Sequence, residues 1–140
     1  MNLAAEHLAF HHLGLAVKDD GPALTFYGAL GYEIGEKVHD PLQNVFVRLC
    51  TAADRATVEI VQPGPEGPSP VDSLISRFNE MIYHTCYETP DLEAALQALR
   101  TLGLRPQALG PRRPAVLFGG RHVSFYRLPG VGVVELLEPI

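Results

Sequence analysis

The 140-residue sequence predicts an α+β fold made of two copies of one β-α-β-β-β module. Within the segment Ile82–Gly103, the residues from Tyr83 onward align without a gap on His11–Gly31, at a constant offset of 72 (103 − 31). The segments that close the two copies, Val58–Pro63 and Val134–Pro139, also match, at an offset of 76 (134 − 58). A fixed period across half a chain indicates two copies of one supersecondary unit. The Pro/Gly-rich stretch Gln62–Pro70 lies between them and predicts a linker.

The first copy is expected to begin with a strand over His7–Val17, in which apolar residues alternate with His12 and small residues. Asp19 and Asp20 are suited to cap a following helix, since aspartate is favoured at that position. Pro22 fits its first turn, and Gly31 ends it. Residues 39–44 are polar and rich in turn formers, which predicts a loop of possible function. Three further strands are expected, at about Tyr32–Val38, Val45–Cys50 and Thr57–Val61.

The second copy starts at Ile82, after a short helix that Ser69 is expected to cap. Thr89 and Pro90 open its long helix, whose leucines and alanines recur at helical spacing. Gly119-Gly120 predicts a two-residue hairpin between strands, and the aliphatic closing strand is expected to be buried on both faces. The sequence thus predicts one domain over 1–140. Its parts are a first module at 7–63, a linker with a short helix at 64–81, and a second module at 82–140.

Composition excludes several classes of function. A net charge of −5 offers no basic surface for nucleic acid, and no apolar run approaches the ~20 residues of a membrane span. The N-terminus lacks the pattern of a secretory signal. Cys50 and Cys86 are too few for a disulfide framework, so both are expected to be small buried residues in a reducing compartment. We therefore expect a cytoplasmic protein with neither nucleic acid nor membrane as a partner.

Four polar residues occupy equivalent positions of the two copies: His12 and His84 on the opening strands, and Glu59 and Glu135 on the closing strands. Strand alternation puts His84 on one face with Cys86. A carboxylate within an aliphatic strand is costly to bury unless it is paired or bound to a cation. Imidazole nitrogens and carboxylate oxygens together suit Zn, Ni, Co, Mn or Fe(II). The repeated register therefore predicts that these four residues bind one divalent metal ion per site.

These residues also carry a resemblance to a known family. The sequence resembles the vicinal oxygen chelate superfamily, which includes glyoxalase I, methylmalonyl-CoA epimerase, extradiol dioxygenases and the fosfomycin and bleomycin resistance proteins. The resemblance implies paired βαβββ modules whose curved mixed sheet surrounds a metal cleft, with His12, Glu59, His84 and Glu135 as ligands. The stretches that carry it are His12-Leu-Gly-Leu-Ala-Val, Tyr27-Gly-Ala-Leu-Gly-Tyr32, Val58-Glu59-Ile60, Tyr83-His84-Thr-Cys-Tyr-Glu88 and Val134-Glu135-Leu136.

The activity implied is proton transfer next to a carbonyl through an enediolate that a divalent metal stabilises. Glu135 or Glu59 would be the base, and the outcome is either epimerisation or a glyoxalase I-like isomerisation. The expected substrate is a small carbonyl compound or thioester, and the expected assembly is a homodimer. Two alternatives stay open. One is an extradiol-type Fe(II) dioxygenase, in which Glu59 would be surplus. The other is a binding protein that confers resistance by sequestering a drug or natural product.

Candidate substrate contacts are Gln43 in the polar loop, Cys86 beside His84, and Arg121 with His122 for an anionic tail. Gln43 is equally interpreted as a turn residue, and for Cys86 the interpretation as a buried apolar residue is favoured over a substrate contact. His11 competes with His12, but it is one residue out of register and is interpreted as structural or as a contact of the ligands. The turn before the last strand lacks the His-Pro pair usual in the superfamily's epimerases and the Asp-Pro-x-Gly turn usual in its glutathione-dependent glyoxalases. The substrate therefore stays open between an acyl-CoA, a glutathione adduct and a natural-product intermediate.

Overall fold

The computed structural model describes residues 2–140 and divides them into two compact units. The first unit is His12–Tyr83, and the second unit joins the residues up to His11 with His84–Ile140. Strand β1 (Ala9–Val17) and strand β6 (Glu80–Glu88) each continue across a boundary between the units. Within residues 2–140, no helix has both the length and the apolar character needed to cross a membrane. The module bounds predicted from the sequence stay a prediction.

The elements alternate along the chain as expected for a repeated β-α-β-β-β unit. The helices are α1 (Leu3–Glu6), α2 (Gly21–Ala29), α3 (Asp72–Phe78) and α4 (Leu92–Thr101), with a 3₁₀ turn at Val116–Phe118. The strands are β1 (Ala9–Val17), β2 (Glu33–Ile34), β3 (Val38–Asp40), β4 (Val45–Ala52), β5 (Arg55–Pro63), β6 (Glu80–Glu88), β7 (Gln107–Ala108), β8 (Arg113–Pro114), β9 (His122–Leu128) and β10 (Gly132–Leu137).

In the first unit the strand order is β2-β4-β5-β1, and β3 also pairs with β4. Strands β1 and β5 are parallel, whereas β4 runs antiparallel to β5. Helix α2 covers one face through Leu24 and Tyr27, which pack against the buried side chains of Val17, Cys50 and Ile60. The alternation of side chains leaves His12, Gly14 and Ala16 of β1 on the face away from α2. That face carries the candidate ligands of this unit.

The second unit repeats this plan with the strand order β6-β10-β9-β7, and β8 pairs with β9. Strands β6 and β10 are parallel, and β9 is antiparallel to β10. Helix α4 supplies Leu99 to a cluster with Leu128 and Val134 on one face. Its start is capped by the Asp91 carboxylate, which accepts a hydrogen bond of 3.0 Å from the Ala94 N–H. From Val134 to Leu137 every residue of β10 is buried, which confirms the expectation for the closing strand.

Several local predictions were wrong in detail. The strand expected over Tyr32–Val38 is broken into β2 and β3 at Gly35, where the chain runs close to β4. A Cβ on Gly35 would lie 2.7 Å from the Leu49 carbonyl oxygen, so only glycine fits without a shift. Strand β3 then continues to Asp40, into the segment expected to be a loop.

The segment before β9 also differs from the prediction. Gly119 and Gly120 follow a 3₁₀ turn rather than joining two long strands, and the strand that pairs with β9 there is the short β8. Helix α3 begins at Asp72, and the Ser69 side chain does not cap it. Instead the Asp72 carboxylate accepts a 2.7 Å hydrogen bond from the Ser69 N–H.

Candidate metal centre

The first unit holds one buried histidine–glutamate pair on the face away from α2. In the register of β1 and β5, Gly14 is the partner of Glu59, and His12 lies two residues before Gly14 on the same face. His12 is fully buried and Glu59 is 6% exposed. The His12 Nε2 atom lies 3.7 Å from the Glu59 Oε1 atom. Two parallel neighbouring strands thus bring an imidazole and a carboxylate together in an apolar setting.

The second unit builds the same pair in the same way. Cys86 is the register partner of Glu135, and His84 lies two residues before Cys86. His84 is 2% exposed and Glu135 is 3% exposed. The His84 Nε2 atom lies 3.2 Å from the Glu135 Oε1 atom. The ring of Phe125 meets the His84 ring edge-on, with 5.2 Å between centroids.

The electrostatics of each pair favour a bound cation. A buried carboxylate requires a cation, a proton or several hydrogen bonds to offset its lost hydration. Charge-assisted hydrogen bonds of nitrogen to carboxylate measure about 2.7–2.9 Å, and both pairs are longer, at 3.7 and 3.2 Å. Two ligands that each lie ~2.0–2.2 Å from one ion are about 3.0–3.5 Å apart. The spacing of the pairs is close to that of two ligands of one ion, and the chain holds a possible metal site of histidine and glutamate residues.

Gln43 is held by a buried carboxylate in the turn between β3 and β4. Its Nε2 atom donates to the Asp40 Oδ2 atom at 3.1 Å, and Asp40 is only 3% exposed. The Asp40 Oδ1 atom also accepts the backbone N–H groups of Leu42 and Gln43. Asp40 pairs with Val45, which in turn pairs with Pro63 of β5, so Asp40 shares the face that carries Glu59. The sequence interpretation missed Asp40, although an aspartate that opens a turn is a recognisable signal.

Cys86 is fully buried on the strand face of His84 and packs with Ala115, Val123 and Leu137. Cys50, by contrast, is buried on the helix-covered face of the first unit. Burial raises the pKa of the Cys50 thiol, and the nearby Arg48 offsets this only in part. These positions agree with the expectation that both cysteines are small buried residues.

Arg121 lies beyond the far end of β6, and its guanidinium group already donates hydrogen bonds within the protein. Its Nη2 atom donates to the Glu88 carboxylate at 2.9 Å, and its Nε atom donates to the Glu138 carbonyl at 2.8 Å. Arg121 and Glu88 border a cavity of about 360 Å³ together with Thr89 and residues 4–9. His122 lies on the opposite face of β9 from Phe125 and pairs with Pro114. The ring of His11 contacts Phe118 edge-on at 5.1 Å.

A family model described as the Glyoxalase/Bleomycin resistance protein/Dioxygenase superfamily matches residues 11–125. The chain belongs to this superfamily. It is 31% identical over 117 residues to an ethylmalonyl-CoA/methylmalonyl-CoA epimerase of Cereibacter sphaeroides, covering 82% of this chain and 84% of that relative. The family model covers His12, Glu59 and His84 and ends before Glu135.

Solved structures of superfamily members confirm the fold. Methylmalonyl-CoA epimerase of Mycobacterium tuberculosis is similar with a TM-score of 0.78 at 23% identity, over 99% of this chain and 93% of that one. A variant of the Streptomyces coelicolor epimerase, in complex with 2-nitronate-propionyl-CoA, is similar with a TM-score of 0.67 at 21% identity, over 92% and 95%. The predicted vicinal oxygen chelate fold, a mixed sheet with few helices, is therefore confirmed.

Membership in the superfamily is compatible with each activity that the sequence left open, because its description includes glyoxalases, resistance proteins and dioxygenases. The relative described above is an epimerase, which supports an enzyme and favours epimerisation over ring cleavage or drug binding.

Phe125 is a residue of the second unit that the sequence interpretation did not single out. Its strand could be predicted, but its contact with His84 depends on the register of β9 against β10, in which Phe125 is the partner of Glu135.

Proposed function

We propose that this chain is a metal-dependent epimerase of small 2-alkylmalonyl-CoA thioesters. It would remove the proton from the carbon between the two carbonyl groups and return a proton to the opposite side. The observation that carries this proposal is the pair of equivalent, buried histidine–glutamate contacts, one in each unit. The superfamily relative that acts as an ethylmalonyl-CoA/methylmalonyl-CoA epimerase supports the choice of substrate class.

We propose that His12, Glu59, His84 and Glu135 together hold one divalent ion. Each unit alone supplies one nitrogen and one carboxylate, whereas protein sites for such ions commonly use three or four side chains. When bound, the ion supplies Lewis-acid polarisation of a carbonyl oxygen. The donor set suits Zn, Ni, Co, Mn and Fe, so the native metal is a matter for measurement.

The two glutamates are the proton carriers in this proposal. Each carboxylate has two oxygens, so one oxygen can face an ion while the other accepts or donates a proton. Glu135, ionised, would take the proton from the α-carbon, and Glu59, protonated before the reaction, would give its own proton to the other side. Proton exchange with solvent would reset both carboxyl groups between turnovers. Both side chains are at least nine-tenths buried, so bulk water competes little with the substrate for them. His12 and His84 would complete the ligand set from the adjacent parallel strands.

The assembly and location follow the same proposal. An acyl-CoA substrate, and two buried cysteines that form no disulfide with each other, suit the cytoplasm. We expect the chain to act there as a homodimer, with a small-molecule thioester as its partner.

Deuterium exchange tests the proposed activity directly. Purified protein is loaded with Co²⁺ or Zn²⁺ and incubated in D2O, without oxygen, with either epimer of methylmalonyl-CoA. We expect deuterium at the α-carbon and a racemic product, detected by mass spectrometry and chiral separation. Glu135→Gln should slow the exchange by about 10²–10⁴-fold, the usual effect of removing a general base.

Glu138→Gln is the matched control, because it makes the same change three residues along, where Glu138 pairs with Arg112 rather than with a histidine. It should exchange deuterium at the rate of the unchanged protein. Absence of exchange with methylmalonyl-CoA and ethylmalonyl-CoA, or stoichiometric consumption of oxygen with a catechol, would refute the epimerase proposal.

A further inference from the structure

We infer that Phe125 forms the wall that limits the size of the substrate's α-substituent. This role rests on the proposed epimerase function and names a determinant of specificity for that same site. Phe125 is not a candidate ligand, and its ring has no titratable group that could transfer a proton. It therefore takes no chemical part in the reaction. Its position beside His84 and Glu135 is what assigns the role.

Two independent contacts fix the position of Phe125. Along the sheet it is the register partner of Glu135, and directly paired residues of antiparallel strands point to the same face. Across the face its ring meets the His84 ring at 87°, with 5.2 Å between centroids. The side chain therefore touches one candidate ligand and lies beside the other.

Phe125 also differs from the apolar side chains around it. Cys86, Val123 and Leu137 form a cluster on this face and are at most 2% exposed. Phe125 packs against this cluster but is only partly buried. Phe125 therefore lies at the edge of the cluster. An apolar group of a ligand can contact the exposed part of its ring without displacing packed atoms.

The chemistry of the substrate places its α-substituent at this edge. In an α-substituted thioester the substituent is bonded to the carbon that is also bonded to the carbonyl. A thioester carbonyl that binds the ion proposed at His84 and Glu135 would bring the substituent within reach of a side chain that touches His84. An aromatic ring is rigid, so it offers a wall of defined position, and one methylene in such a pocket typically changes kcat/KM by about 10–200-fold.

Three substitutions test this role in both directions. Phe125→Ala and Phe125→Leu widen the pocket, and Phe125→Trp narrows it. The substrates are methylmalonyl-, ethylmalonyl- and propylmalonyl-CoA, and the quantity measured is the ratio of kcat/KM for the propyl compound to that for the methyl compound. We expect this ratio to rise at least about tenfold in Phe125→Ala, to rise less in Phe125→Leu, and to fall in Phe125→Trp.

Tyr126→Leu is the matched control, because it truncates the adjacent aromatic residue of β9 on the opposite face, where Tyr126 packs against Leu99, Leu128 and Val134. It should leave the ratio unchanged. A readout without turnover is the affinity, by calorimetry, for 2-nitronate-propionyl-CoA and its analogue with a longer chain. Phe125→Ala should improve relative binding of the longer analogue, while the stoichiometry of bound Co²⁺ stays that of the unchanged protein.

The outcomes separate this role from the proposed function. If the unchanged protein inverts the malonyl thioesters and none of the three substitutions moves the ratio, Phe125 is not the wall and the epimerase proposal still stands. An equal change in Tyr126→Leu would also overturn the role, since it would indicate a general loosening of β9. If the unchanged protein inverts none of the thioesters, the proposed function fails and the role fails with it.

Discussion

Single residues at the candidate metal centre are positioned by one rule that is applied twice. In each unit the histidine lies two residues before the register partner of the glutamate, on a neighbouring parallel strand. Because side chains alternate along a strand, this spacing puts imidazole and carboxylate on the same face. The same local geometry therefore produces the 3.7 Å contact of the first unit and the 3.2 Å contact of the second.

Metal stoichiometry tests whether both pairs serve one ion. We expect the unchanged protein to bind about one divalent ion per chain, because each pair offers fewer side chains than such sites usually require. His84→Ala should then lower the bound metal to near zero, although the first unit's pair is untouched. The measurement is elemental analysis of protein purified without chelator and dialysed against Co²⁺ or Zn²⁺.

The complementary substitution sharpens that prediction. His12→Ala should have the same effect as His84→Ala, and Glu138→Gln should have none. Retention of a full equivalent of metal in either histidine variant would show that the ion does not need that histidine and would overturn the four-ligand site.

The ligand candidates could be predicted from the sequence because they depend only on local alternation and on the internal repeat. Phe125 and Asp40 could not be predicted with the same certainty. Their positions on the sheet faces that carry the candidate ligands depend on how β9 pairs with β10 and how β3 pairs with β4. Register between strands distant in sequence is set by packing and turn geometry, which a single sequence does not reveal.

At the scale of elements, the turn between β3 and β4 is hydrogen-bonded to the linker that follows β5. Asn44 has a positive φ of 53°. Its Nδ2 atom donates to the carbonyls of Gly67 and Pro68 at 3.0 and 3.1 Å, and its Oδ1 atom accepts from the Glu66 N–H. The Pro/Gly-rich linker is thereby bound to the turn that carries Gln43.

Substituting Asn44 should therefore destabilise the protein by an amount that depends on the backbone. Asn44→Gly loses the side-chain hydrogen bonds, which are exposed, at a cost of about 1–2 kcal/mol. Asn44→Ala loses the same bonds but keeps a Cβ at positive φ, a strain that glycine relieves. Because the unfolded alanine chain is less flexible, this difference is partly offset, and Asn44→Ala should cost a further ~0.5–1 kcal/mol. The midpoints of urea unfolding measure both values.

Asn79→Gly is the control, since Asn79 also has a positive φ, of 64°, at the end of α3. It makes the same change of residue without removing the bonds from Asn44 to the linker. If Asn44→Ala were more stable than Asn44→Gly, strain at position 44 would be absent. If Asn44→Gly lost no more stability than Asn79→Gly, the bonds to the linker would contribute nothing.

Element types were easier to predict than element bounds, for reasons visible at particular glycines. Helix α4 and strand β10 have strong apolar patterns, and both formed as predicted. The break at Gly35 depends on close approach to the Leu49 carbonyl, which is a tertiary contact. Gly119-Gly120 has the composition of a hairpin, but the preceding residues form a 3₁₀ turn instead. The two glycines were enough to predict a turn at this position, but not to predict which strands it joins.

At the scale of the whole molecule, two compact units each carry half of the proposed ligand set. The sequence period explains this division, because duplication of a module duplicates the ligands with it. Each half provides two side chains, so neither unit is expected to bind a divalent ion tightly alone. Metal binding and the stability of the whole chain should therefore be linked.

Metal removal should lower the thermal stability of the entire chain. A ligand present at 100 times its Kd adds about 2.7 kcal/mol to the folded state. For a chain of this size each kcal/mol moves Tm by roughly 2–5 °C, so Tm should fall by about 5–14 °C on dialysis against a chelator and recover on adding Zn²⁺ or Co²⁺. Scanning calorimetry of the metal-free and reloaded protein measures the shift. His84→Ala and His12→Ala should show no such recovery, because each removes one of the two imidazole ligands of the site. An equal gain of Tm in these variants and in the unchanged protein would mean that the stabilising ion binds elsewhere.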